Sequence, residues 1–188
     1  VKRIFGMRHG VRGIAKGHPE ELVDLTGTSA EQLERIARTP SAALGSTRDK
    51  PDDAYCDQII EGCRDDNVRY FFYIGGNDSA DTCRIVSEKA AAANYELRCF
   101  HVPKTIDNDL RENDHTPGFG SAGKFVACAL MGDNLDNRAL PGVKIDVIMG
   151  RHAGFLTASS ALVRVYPCEG SHLGYPPELD FHSSLPLV

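Results

Sequence analysis

The chain has no C-x-x-C pair among its six cysteines and no H-E-x-x-H among its seven histidines. The first absence is poor spacing for a structural zinc or a redox dithiol, so Cys56, Cys63, Cys83, Cys99, Cys128 and Cys168 read as small buried hydrophobes. The second removes the spacing of a zinc protease helix. An excess of base over acid is also missing. With 21 Lys+Arg against 26 Asp+Glu the formal charge is −5, which excludes a broad basic surface for nucleic acid or anionic lipid. Any anionic ligand must then be held by local basic residues. No run approaches the roughly 18 apolar residues of a membrane span, and Val1–Gly6 shows no signal-peptide apolar region. The expectation is a cytoplasmic protein without nucleic-acid or membrane partners.

What is present is an ordinary globular composition, 41% hydrophobic and 25% charged over 188 residues, without internal repeat or low-complexity run. That length suits one domain, or a large one with part of a second. Apolar runs alternate with helical patterns. Lys2–Gly6 reads as a strand, and Thr28 or Ser29 can cap a helix through Ala37, with Glu31 and Gln32 placed for a capping box. Pro51 opens a helix across Tyr55, Ile59 and Ile60, and Tyr70–Ile74 is an aromatic, β-prone run read as an interior strand. Ser79–Asn94 is helical and Leu97–Val102 is the next strand. Residues 103–120 are polar without a core face and are expected on the surface, followed by a helix around Ser121–Gly132. Lys144–Ile148 reads as a further strand, and Ala153–Val165 as a helix that Pro167 stops. The order predicts an α/β fold with a parallel sheet, helices on both faces, and ligands at the carboxyl ends of the strands.

Two of those strand ends carry suitable chemistry. Gly75-Gly76-Asn77-Asp78-Ser79 follows the aromatic strand and opens a helix; glycines remove Cβ obstruction and helix-start amides attract anions. A tight turn with Asp78 or Ser79 as N-cap is the alternative. Pro103-Lys104-Thr105-Ile106-Asp107-Asn108-Asp109 follows the next strand, with two carboxylates two residues apart and a cation and hydroxyl upstream. One carboxylate can take a proton from an attacking hydroxyl, another can hold Mg²⁺, and the cation can offset phosphate charge. A solvated Asx-rich turn fits the same composition.

Taken together these loops resemble the phosphofructokinase family, whose members read Gly-Gly-Asp-Gly-Ser or a close variant at the first and Pro-x-Thr-Ile-Asp-Asn-Asp at the second. Leu44-Gly45-Ser46-Thr47-Arg48 is similar to the family loop whose arginine grips donor phosphates, and Thr116–Ala122 resembles its substrate-side turn. Met149-Gly150-Arg151-His152-Ala153-Gly154 resembles the segment that touches fructose 6-phosphate. The resemblance spans roughly Val1 to Tyr166. It implies a three-layer phosphofructokinase-like sheet, incomplete here. It also implies a donor-binding portion over 1–136 that lacks the family's first glycine-rich loop, the start of a sugar-phosphate portion over 137–178, and an irregular tail over 179–188. Tyr175–Glu178 is similar to the family's next strand.

By this resemblance Asp107 is the general base and Asp109 assists the magnesium-bound phosphates, with Lys104 and Thr105 completing the catalytic group. Arg48, Gly75, Gly76, Asn77, Asp78 and Ser79 would bind donor phosphates. Thr105, Met149, Gly150 and Arg151 would face the sugar, and Asp78 and Asp109 would be the metal-side carboxylates for Mg²⁺. Read singly, Met149 suits a core and Arg151 a strand-end cap. ATP-using members usually carry glycine where Asp78 stands; a carboxylate there adds bulk and repulsion, while Lys104 balances a compact diphosphate. The pair is similar to the pyrophosphate-dependent members, and Asn77 departs from Gly-Gly-Asp. The implied reaction moves a phosphoryl group from pyrophosphate to fructose 6-phosphate in a homo-oligomer. ATP as donor, or a catalytically idle phosphate-binding or regulatory fragment, are the alternatives. Uncovered apolar faces at Tyr70–Ile74 and Lys144–Ile148 would promote association.

Overall fold

A computed structural model describes residues 2–15 and 21–163. The end of the expected Ala153–Val165 helix, Cys168, the Tyr175–Glu178 segment and the tail lie outside the described residues. By contact the chain divides into two units: residues up to 74 with 78–102, and residues 75–77 with those from 103 onward.

In the first unit, β1 (Phe5–Met7) pairs antiparallel with β2 (Leu22–Asp24), Gly6 facing Val23. The Lys2–Gly6 strand is therefore shifted, and its partner is a hairpin neighbour rather than a parallel strand. Side chains of Leu25 and Leu44 close so tightly over Gly6 that a Cβ there would meet them at 2.9 and 2.7 Å. A short helix α1 (Arg12–Ala15) follows β1. Helix α2 (Ala30–Arg38) starts on Ser29, whose hydroxyl accepts from the Gln32 amide while the Gln32 side chain accepts from the Ser29 amide. Of the two candidate caps and two candidate partners, Ser29 and Gln32 form the reciprocal pair.

Helix α3 (Asp53–Asp65) starts two residues after Pro51, capped by Asp52, whose carboxylate accepts from the Tyr55 amide at 2.8 Å. Such a cap contributes about 1 kcal/mol. Strand β3 (Tyr70–Gly75), helix α4 (Asn77–Ala92) and strand β4 (Arg98–Pro103) then form the strand–helix–strand unit anticipated. Backbone bonds from Arg98 to Arg69 and from Lys104 to Gly75, both 2.9 Å, advance together along the two strands, so β3 and β4 run parallel. Among the described residues β3 has only β4 as ladder partner, so it is not an interior strand here.

The core lies between α3, α4 and one face of this pair. Cys56, Ile59 and Cys63 of α3 and Val86 and Ala90 of α4 are fully buried against Phe71, Tyr73 and Cys99. Residues i, i+3, i+4 and i+7 of α3 fall on one face, which is why this helix and not the wholly exposed α2 anchors the core. Tyr95 closes the bottom by donating to the backbone carbonyls of Cys63 and Val68. Side chains alternate across a strand, so Tyr70, Phe72, Ile74, Phe100 and Val102 point the other way and are exposed. The α/β layering is thus present and one sheet face is bare.

In the second unit, α5 (Phe119–Ala139) outruns the expected Ser121–Gly132 helix. It packs on α6 (Phe155–Ser159) and the 3₁₀ turn Ser160–Val163, with Gly123 against Ser159 and the Phe119 and Phe155 rings edge to face at 5.9 Å. Residues 143–148 are not a strand: Val143, Ile145 and Val147 are more than four-fifths exposed. Alternation alone cannot hold a strand that has no neighbouring ladder among the described residues. Lys144 instead tethers the segment to Asp133 and Asp136 of α5, at 2.5 and 3.1 Å. No helix among the described residues is long and apolar enough to cross a membrane.

Candidate functional site

The two glycine- and aspartate-bearing loops leave the carboxyl ends of adjacent parallel strands, the place where α/β sheets hold ligands. Within the second unit they touch. The Lys104 amide donates to the Gly75 carbonyl at 2.9 Å, and a Cβ on Gly76 would stand 3.6 Å from the Thr105 Cβ. The Asn77 side-chain amide donates to Oδ2 of Asp109 at 2.7 Å. Helix α4 begins at Asn77, so Asp78 and Ser79 lie within its first turn rather than capping it.

The Thr105–Asp109 segment is shaped by a polar core that the sequence does not advertise. The 103–120 stretch, expected to be wholly superficial, buries Asn108 and Thr116. Asn108 adopts a left-handed φ of 57°, accepts from the Thr116 amide at 2.8 Å and donates to the Asp114 carbonyl. The Thr116 hydroxyl donates to the Thr105 carbonyl at 2.6 Å, and Thr105 forms an isolated parallel bridge with Gly118. Asparagine is among the few residues that tolerate this φ. With Asn108 turned inward, Asp107 and Asp109 flank a fixed point. The Asp107 amide donates to Thr105 Oγ1 at 3.2 Å, while Asp107 Oδ1 is shielded from solvent and has no hydrogen-bond partner. A shielded carboxylate oxygen without a donor is costly unless something arrives to use it. Lys104 is exposed.

Arg48, Asp78 and Ser79 belong to the first unit. Arg48 is exposed at the end of the Gly45–Arg48 loop, and Ser79 is half-buried near the Tyr73 phenol, which burial pushes upward. Asp78 pairs with Lys50 at 3.3 Å, a cation two residues past Arg48. Sequence reading stopped at Arg48 and missed both Lys50 and its neighbour Asp49. The Arg48-Asp49-Lys50 run was visible, but which member would meet Asp78 is a matter of space, not order.

In the second unit Met149 is 57% exposed, so it does not serve the core, and Arg151 is exposed as well. Between them Gly150 has φ 130°, and a Cβ there would lie 2.3 Å from the Ala153 carbonyl oxygen. Only glycine fits that turn. No group of three or more His, Cys, Asp or Glu side chains able to hold a metal occurs among the described residues.

A profile of the phosphofructokinase family matches residues 1–183. The pyrophosphate–fructose 6-phosphate 1-phosphotransferase of Rhodospirillum rubrum is 60% identical over 181 residues, covering 96% of this chain and 44% of that protein. The protein of the same name from Halomonas elongata is 39% identical over 188 residues, covering 95% of this chain and 45% of its own length. Among solved structures, the pyrophosphate-dependent phosphofructokinase of Marinobacter aquaeolei superposes with a TM-score of 0.79 at 36% identity, over 96% of this chain and 46% of that one. The chain thus spans a little under half the length of these relatives. With residues 1–183 inside the family profile and the strand-end loops meeting as described, the chain belongs to the phosphofructokinase family.

Proposed function

We propose that the protein transfers a phosphoryl group from pyrophosphate to the 1-hydroxyl of fructose 6-phosphate, with Asp107 as general base. The observation that carries this reading is the meeting of the Gly75–Asn77 turn with the Thr105–Asp109 loop, where a shielded oxygen of Asp107 lacks a partner. In the proposed step Asp107 takes the proton of the sugar hydroxyl as its oxygen bonds to phosphorus. The bond to the departing phosphate breaks, and that group leaves with the electron pair. No covalent enzyme intermediate is needed, since catalysis of this kind is positioning and charge stabilisation. Gly75 and Gly76 leave room for donor oxygens near backbone amides, with Asn77, Ser79, Arg48 and Lys104 as polar and cationic donor contacts. Thr105, Met149, Gly150 and Arg151 are proposed to face the sugar.

Magnesium suits this donor set. Mg²⁺ commonly rests on one or two carboxylates and takes its other ligands from water and substrate phosphates, so the lack of a three-residue cluster among the described residues is compatible with it. Asp109 and Asp78 are the carboxylates proposed to hold it; bound there, it would neutralise charge on the transferring phosphate. Pyrophosphate rather than ATP is favoured by the names of the relatives and by Asp78, which adds bulk and negative charge at the first turn of α4. A cytoplasmic homo-oligomer, with a donor portion over 1–136 and a sugar portion beginning at 137, completes the reading.

The test is a coupled assay of the complete natural protein with fructose 6-phosphate and either donor. Turnover with pyrophosphate that Asp107→Asn lowers by about a hundredfold or more supports the proposal. Preference for ATP would overturn the donor assignment, and an Asp107→Asn variant of normal rate would overturn the base.

A further inference from the structure

We propose that Arg12, Asp49 and Tyr55 are positioning residues for donor binding, fixing the segment that presents Arg48 and Lys50. The inference rests on the donor site described above and concerns residues that do not touch the donor themselves.

Asp49 is the only residue of the Arg48–Lys50 run that turns inward; its side chain is 26% exposed, whereas Arg48 and Lys50 on either side are exposed. Two elements converge on its carboxylate. From α1 the Arg12 guanidinium donates through Nε and Nη2 to both oxygens, at 3.1 and 2.8 Å. From α3 the Tyr55 hydroxyl donates to Oδ2 at 2.9 Å. Tyr55 is itself placed by the Asp52 cap. The Asp49 amide is used too, donating to Thr47 Oγ1 at 3.0 Å. Bidentate, charge-assisted bonds are the strong and geometrically specific kind. Arg12 first, then Tyr55, holds the Asp49 carboxyl well below the usual carboxylate range, so the clamp stays charged at neutral pH.

The loop enters the clamp through Gly45, whose φ of 73° and close approach to the His9 ring leave no room for a side chain. It leaves through Lys50, whose ammonium reaches Asp78 in the first turn of α4. That last pair is about two-thirds exposed on both sides, and exposed pairs add little stability. Its consequence is placement: a cation held where Asp78 would otherwise repel an anionic donor. Long cationic side chains lose much freedom when they grip a ligand, and a fixed backbone between them removes part of that cost before the donor arrives.

The alternative is that the clamp merely ties α1 to α3. The experiment separates the two in the complete natural protein, using Tyr55→Phe, Arg12→Ala and Arg12→Lys, each checked for folding by circular dichroism and melting. KM for pyrophosphate is expected to rise about tenfold in Arg12→Ala and about threefold in Tyr55→Phe, with kcat and KM for fructose 6-phosphate within about twofold. Arg12→Lys should recover part of the loss, since lysine keeps the charge and loses the fork. Pyrophosphate KM unchanged in folded variants, or kcat and both KM values moving together, overturns the proposal. If the wild type uses ATP instead, the donor assignment fails while the clamp is judged by the same split on KM for ATP. If it turns over neither, the clamp is judged by calorimetric affinity for pyrophosphate; a wild type that binds no donor overturns both.

Discussion

The side-chain amide of Asn77 lies 2.7 Å from Oδ2 of Asp109, joining the residue after the diglycine turn to the second carboxylate of the neighbouring loop. A carboxylate at position 77 would set two like charges against each other here; the amide instead donates. The departure from Gly-Gly-Asp is therefore accompanied by a contact that orients Asp109 without repelling it.

Asn77→Ala should free Asp109 and lower kcat/KM for the donor by about tenfold, the scale of one hydrogen bond to a charged group. Asn77→Asp should do worse than alanine, because it replaces a donor with a like charge. Steady-state kinetics with varied pyrophosphate at fixed sugar phosphate reads both. An aspartate variant better than alanine would show that the amide is not what matters.

Much of this arrangement was legible where the signal is local. Tyr70–Ile74, Ser79–Asn94 and Leu97–Val102 were each found within about two residues of their read bounds, because β-prone aromatics and helical spacing act over a few positions. What failed required a partner. Ile145 and Val147 alternate like strand residues, yet a ladder needs a second strand. The three-residue β2 is too short to show a period, and it exists because β1 lies beside it. Asn108 and Thr116 are buried polar residues, invisible to any reading that equates core with apolar. Lys50 meets Asp78 across 28 positions of sequence, a relation that only the path of the chain reveals.

Gly150→Ala should be costly. With φ at 130° and the Ala153 carbonyl oxygen 2.3 Å from the added carbon, the Met149–Gly154 turn must open. A destabilisation of about 1–3 kcal/mol is expected in urea unfolding. If the neighbouring Met149 and Arg151 face the sugar, KM for fructose 6-phosphate should rise while donor KM holds.

Thiol reactivity should rank by burial among the described cysteines. Burial pushes the Cys63 thiol up to about 12 and Cys99 to about 11, and raises Cys56 and Cys83 as well. Cys128 is exposed on α5. The thiolate is the nucleophile, so a disulfide reagent at pH 8 should label Cys128 first and the other four only on unfolding. Peptide mapping of the modified protein checks the order; early labelling of Cys63 would contradict the packing of α3.

Acid should loosen the β1–β2 hairpin through Asp24. The Thr26 hydroxyl and amide, then Arg3, hold its carboxyl at about 2 against an ordinary 3.8. A carboxyl lowered by folding contributes stability that is complete above its unfolded value and lost as pH falls through its folded value. The advantage of wild type over Asp24→Asn should thus be present at neutral pH and shrink from about pH 4 to about pH 2. Because the Arg3–Asp24 pair is largely exposed, the difference is small. Unfolding curves for both proteins across that range test the sign.

The bare face of the β3–β4 pair gives the last expectation. Phe72 and Phe100 stack at 4.9 Å with rings 15° from parallel, and Phe72 and Ile74 are more than three-fifths exposed. Contiguous apolar surface of this kind is uncommon on a monomer beyond a few hundred Å², and paired aromatics make it flat. The 188-residue chain produced alone should therefore sediment faster as its concentration rises. Phe72→Glu should suppress that trend, because a charge desolvated in an apolar contact opposes association. The same change should leave the melting temperature nearly unaltered, since Phe72 faces away from Ile59, Val86 and the rest of the core. Concentration-independent sedimentation of the wild type would mean that this face does not drive association. A large fall in melting temperature on Phe72→Glu would place the ring in the core instead.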